Sequence, residues 1–153
     1  GIANLTDLHL DYRTRGWHRL DPWRDSVAGL TALKRNFIIA PLSNGNVALL
    51  TNMAKYAGLP WDLILSAELF GHYKPDPETY LGAARLLGLR PDQLMMVAAH
   101  NDDLFAAQAL GLKTAFVPRS TEYGPLQVRD FQPEGSWDLV AKDFVDLADK
   151  MGC

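Results

Sequence analysis

Residues 36–46 read "NFIIAPLSNGN". An apolar run without polar alternation ends in Ser43, Asn44 and Gly45, and a helical pattern, "NVALLTNMAKYAG" (46–58), starts at once. Unbroken apolar runs of this kind fit strands covered on both faces, as in a parallel sheet under helices. Three more follow: "LILSA" (63–67), "LMMVAA" (94–99) and "KTAFVP" (113–118). A fifth, "WDLVA" (137–141), alternates and reads as a short edge strand. Strand and helix patterns recurring every 20–30 residues or so predict right-handed βαβ units. The expected fold class is α/β, a Rossmann-like doubly wound parallel sheet.

The helical stretches carry their own punctuation. In "WRDSVAGLTALKR" (23–35), Val27, Leu30 and Leu33 recur on one side, and Pro22 suits a first helical turn. Val47, Leu50 and Met53 share a face of the next helix, with Asn46 as its N-cap and Gly58 as its stop. "PETYLGAARLLGL" (77–89) carries Tyr80, Ala84 and Leu87 and ends at Gly88. "DDLFAAQALGL" (102–112) stops at Gly111, and "DFVDLADKM" (143–151) closes the chain. Residues 1–20 and 119–136 stand outside the repeat. The second stretch is rich in turn formers and is expected to be a long surface excursion.

Composition narrows the function classes. A chain of 153 residues suits one domain. The net charge of −3, with acids and bases interspersed, argues against a nucleic-acid or membrane partner. The one cysteine, Cys153, excludes an internal disulfide and a Cys-based zinc site, and fits a reducing, cytoplasmic setting. No apolar run is long enough to span a bilayer as a helix.

In an open α/β sheet, ligands bind at the carboxyl ends of the strands. Three polar clusters fall there. Ser43 and Asn44 follow the first run, and beside a helix start they offer a hydroxyl, an amide and backbone N–H groups to an anion. On their own they read first as a turn and an N-cap. "GHYKPDPETY" (71–80) lies beyond the second run, and Pro75 and Pro77 stiffen the backbone next to Lys74. "HNDD" (100–103) follows the third run, where acids at a helix start are favoured by the helix dipole or could activate water or hold a metal. His9, His18 and His72 show no ligand spacing.

"FIIAPLSNGN", "YKPDPETYLGAARLLGL" and "MMVAAHNDDLFAAQALGLKTAFVPR" together resemble the haloacid dehalogenase superfamily, and within it the type II L-2-haloacid dehalogenases. The likeness spans about residues 17–150. It implies a hydrolase that acts through an aspartyl ester: a carboxylate displaces halide from a small 2-haloacid, and water then cleaves the ester. By position, Ser43 would contact the nucleophile or the substrate carboxylate, and Asn44 would help hold the leaving halide. Lys74 would keep the nucleophile ionised. Tyr80 would help position the substrate, and Asp103 would pair with Lys74 and orient the water. His100 is a candidate base toward that water. No metal or other cofactor is implied. The partner would be a small molecule.

The resemblance also has departures. Superfamily phosphatases carry a metal-binding aspartate four residues before the position of Asp103, where this chain has Ala99. That disfavours a metal-dependent phosphatase, the alternative within the superfamily, since phosphoryl transfer relies on metal charge stabilisation. The dehalogenases often have Ser, Asn and an aromatic at the positions of Ala98, His100 and Asp102. The strand bearing the nucleophile is not found. Asp7 and Asp11 have no strand before them and no Gly-Thr after them. The expected organisation is therefore a cap tail returning to the core over 1–20 and a hydrolase core over 21–153, with the first strand and most of a helical cap absent. Such a chain would be inactive alone and completed by a complementing N-terminal segment or a second copy. A non-catalytic binding module is the remaining alternative.

Overall fold

The computed structural model describes Thr6, His9, Tyr12 and residues 14–153. Asp7 and Asp11 lie outside the described residues. After a 3-10 turn at Arg15–Arg19, the described residues form five strands and five α-helices, alternating except that the last two strands follow one another. In order they are α1 (Ser26–Leu33), β1 (Leu42–Ser43), α2 (Val47–Ala57), β2 (Leu65–Ser66), α3 (Pro77–Leu86), β3 (Met95–Ala98), α4 (Asn101–Ala109), β4 (Lys113–Phe116), β5 (Leu139–Val140) and α5 (Phe144–Lys150). Each strand falls inside one of the five apolar runs. All strand pairs are parallel.

The side chains of β4 show why these runs are apolar throughout. Ala115 and Val117 point into a cluster with Leu30 and Leu33 of α1 and Leu147 and Ala148 of α5. Phe116, one step along, points into the opposite cluster with Tyr80 of α3 and Leu104 and Ala107 of α4. The period-2 alternation sends successive residues to opposite faces, and helices cover both. Burying side chains the size of Leu104, Phe116 and Leu147 stabilises the fold by about 1.5–3 kcal/mol each, and all three are fully buried.

The strands form two groups rather than one sheet. β1 pairs with β2, and β3, β4 and β5 pair in that order. The inner edges of β1 and β3 are not joined by a ladder, yet Leu42 of β1 packs against the cluster that holds Met96. The ladder is short at β1, so Phe37 and Ile38, expected in a buried strand, lie exposed before it.

Helix α1 differs from expectation at its start. Pro22 stands outside it, and the helix begins after Asp25. Its buried face is Ser26, Gly29, Leu30 and Leu33, while Val27 is exposed. The backbone there approaches α5 closely: a Cβ on Gly29 would lie 2.4 Å from the Phe144 carbonyl carbon. Asp25 ties the same corner together. Its carboxylate accepts from both terminal nitrogens of Arg119, at 2.9 and 2.8 Å, and from the Phe144 N–H at 2.8 Å. At α2, Asn46 caps as expected, accepting from Leu49 N–H at 2.8 Å, and Gly58 leaves the helix at φ +66°.

Candidate active site

The loops after β1, β2 and β3 bring together the polar clusters singled out in the sequence. At β1 the Ser43 hydroxyl accepts from Gly45 N–H at 3.1 Å, closing the turn on itself. Ser66, buried at the end of β2, donates to Gly45 C=O at 2.7 Å and accepts from Glu68 N–H at 3.1 Å. Glu68 in turn accepts from Val47 N–H at 3.0 Å in the first turn of α2. Neither Ser66 nor Glu68 stands out in the sequence. The signal was there in "LILSA", which ends in a hydroxyl much as "PLS" does.

Asn44 reaches across to the second loop. Its amide oxygen accepts from Lys74 N–H at 2.7 Å, and its amide nitrogen donates to Lys74 C=O at 3.1 Å. Both ends of the amide thus grip one backbone unit and fix where Lys74 stands. Thr79, fully buried, holds the same loop by donating to His72 C=O at 2.8 Å. The Lys74–Pro75 peptide is cis.

The Lys74 ammonium donates to Asp103 Oδ2 at 2.5 Å, and the Tyr80 hydroxyl donates to Asp103 Oδ1 at 2.6 Å. Side-chain exposure is 17% at Lys74 and 13% at Asp103, so the pair is largely withdrawn from water. Asp103 occupies the first turn of α4, where the helix dipole favours a carboxylate. Burial pushes the Tyr80 phenol far up from its usual value, and the bond to Asp103 adds to the effect. Tyr80 therefore stays a donor. Of the six residues proposed from sequence, Asn44, Lys74, Tyr80 and Asp103 form one bonded chain, and Ser43 shapes the turn beside it.

His100 faces elsewhere. Its Nε2 lies 2.9 Å from Glu122 and 3.2 Å from the Tyr123 hydroxyl, which also accepts from Arg129 at 3.1 Å. The excursion over 119–136 thus folds back onto the start of α4. Buried Asp130 accepts from the backbone N–H and the side chain of Asn101, at 2.9 and 3.0 Å, and pins it there. His72, Asp76 and Glu78, exposed and without ligand spacing in the sequence, place their donor atoms within 4.8 Å of one another.

The model for haloacid dehalogenase-like hydrolases matches residues 2–111. The chain belongs to that family. It superimposes on the crystal structure of an L-2-haloacid dehalogenase with a TM-score of 0.95 at 55% identity, covering 97% of this chain and 64% of the other. A defluorinating L-2-haloacid dehalogenase gives a TM-score of 0.95 at 53% identity, covering 98% and 61%. The (S)-2-haloacid dehalogenase 4A of Burkholderia cepacia is 31% identical over 94% of this chain and 73% of its own length. The chain thus spans less than two thirds of the length of these two crystallised dehalogenases. Its relatives are hydrolases, and the α/β fold with parallel strands is theirs. Among the described residues no helix is long and apolar enough to cross a membrane.

Proposed function

We propose that this chain supplies the lysine–aspartate half of a 2-haloacid dehalogenase site, and that the nucleophilic carboxylate comes from a strand lying between β1 and β3. The observation that carries this reading is the Lys74–Asp103–Tyr80 chain at the carboxyl ends of the strands. An ammonium has three donors, and Asp103 takes one. The others can hold a second carboxylate ionised beside it. That carboxylate attacks C2 of the haloacid, the carbon–halogen bond breaks and an ester forms. Water then adds to the ester carbonyl, the hydroxy acid leaves and the carboxylate is regenerated. Asp103, steadied by Tyr80, keeps Lys74 in place and orients the water. Asn44 sets the position of Lys74 through its backbone, a role additional to contact with halide. In this reading residues 1–20 are the tail of a cap returning to a core over 21–153, and the site acts on a small molecule in the cytoplasm.

Halide release from L-2-chloropropionate tests the proposal. The 153-residue chain alone should release none. The chain joined to the family's N-terminal segment, with its strand-borne aspartate, should release halide, and Lys74→Ala should lower kcat by roughly a hundredfold or more. Release by the chain alone, or none by the joined protein, would overturn the reading.

A further inference from the structure

A second cluster of charge lies away from this rim. The 3-10 turn at Arg15–Arg19 packs against α2, and between them is a cleft of about 620 Å³. Arg15, His18, Arg19, Asn52, Lys55 and Tyr56 line most of it, and among the described residues no carboxylate lines it. The whole chain carries a net charge of −3, so this concentration of cations runs against its composition. Among the described residues, neither Arg19 nor Lys55 makes an ion pair. Gathering like charges in one cleft raises the local potential and attracts a counter-ion.

The hydrogen bonds within the cleft specify donors. Asn52 Nδ2 lies 2.8 Å from His18 Nδ1. An amide nitrogen only donates, so His18 Nδ1 accepts and its proton stays on Nε2. That leaves a second ring nitrogen as a donor. The Tyr56 hydroxyl donates to Asp21 at 3.3 Å, which leaves its oxygen as an acceptor for a protonated ligand atom. A planar guanidinium, an ammonium and an imidazole N–H lining one cleft match a compact group with several anionic oxygens.

We propose that the cleft between the Arg15–Arg19 turn and α2 binds a small dianion, either a phosphate group or a dicarboxylate. The site is separate from the Lys74–Asp103 rim, and its occupancy does not depend on the dehalogenase reading. Arg19 and Lys55 neutralise the dianion and His18 fixes its orientation.

Isothermal titration of the 153-residue chain with inorganic phosphate and, in a second arm, with malonate tests this. One equivalent of at least one probe should bind with a sub-millimolar Kd, and the tighter probe identifies the oxygen source. Arg19→Ala and Lys55→Ala should each weaken binding by about tenfold, and salt near 1 M should weaken it further by screening. Both side chains are exposed, so the variants should keep the parent's circular dichroism and melting temperature in the absence of ligand. A Kd of about 1 mM or weaker for both probes would overturn the proposal. Binding unchanged by both substitutions would do so as well.

Discussion

Lys74 and Asp103 hold each other out of water, so removing one strands the other. Lys74→Ala leaves a carboxylate with only Tyr80 as a donor among its side-chain partners. A charge-assisted bond of this kind contributes about 1.5–3 kcal/mol. A fall of that size in urea denaturation should accompany the loss of activity. Asp25 makes a separate prediction. Burial alone would raise its carboxyl, but the bonds from Arg119 and Phe144 N–H and the guanidinium charge overcome this and hold it below 3.8. Its folded value is depressed, so its contribution is present above the unfolded value and is lost as pH falls through the lower folded one. The acid limb of stability below about pH 4 should flatten in Asp25→Asn, measured by melting at successive pH values. The two residues differ in how far they could be foreseen. Lys74 and Asp103 fall in motifs at strand ends. Asp25 and Arg119 lie 94 positions apart, and nothing local in either segment marks them as partners.

Among the elements, α1 and α5 approach each other backbone to backbone at Gly29. A methyl on Gly29 would sit 2.4–2.6 Å from Phe144 backbone and Cβ atoms, and backbone cannot swing aside as a side-chain tip can. Gly29→Ala should therefore cost about 1–3 kcal/mol despite its better helix propensity. A lowered melting temperature with unchanged far-UV dichroism would show it. A melting temperature at or above the parent's would mean that α5 shifts freely. Periodicity located this helix, because its apolar positions recur at helical spacing. It misplaced the boundary and put Val27 inside, because the facing partner is α5, more than a hundred residues away. The ends of α2 and of the segment stopped by Gly88 were legible because a capping side chain and a left-handed glycine act within a few residues. The excursion over 119–136 was legible as irregular. Its clasp by Asp130 on Asn101 was not, because that bond needs the tertiary fold.

For the whole molecule, the two strand groups make a testable claim. Leu94 and Ala98 of the β3 segment spend their carbonyls on Lys113 and Val117, toward β4. Alternation along a parallel strand turns the Met95 and Val97 N–H groups the other way, toward β1. Hydrogen exchange of the chain alone should find those two amides fast and the Ala115 amide slow. Joining the strand-bearing segment should slow Met95 and Val97 by several orders of magnitude, in step with a higher melting temperature. Unchanged exchange would mean that no strand enters between β1 and β3. Apolar runs of five or six residues announced a parallel sheet. They did not announce its division, since hydrophobicity records that a strand is covered and not which neighbour covers its edge.

The division has a thermodynamic consequence. Lys74 stands on the β2 side of the gap and Asp103 on the β3 side, and their bond spans it. Whatever enters between the strand groups reaches that bond, and whatever binds at the bond reads the spacing of the groups. Linkage makes the two affinities reciprocal: a substrate-like acid that tightens the hold on an incoming strand by some factor is itself held tighter by the same factor. Under the proposed dehalogenase reading, such an acid would then act as a folding cofactor for the joined protein.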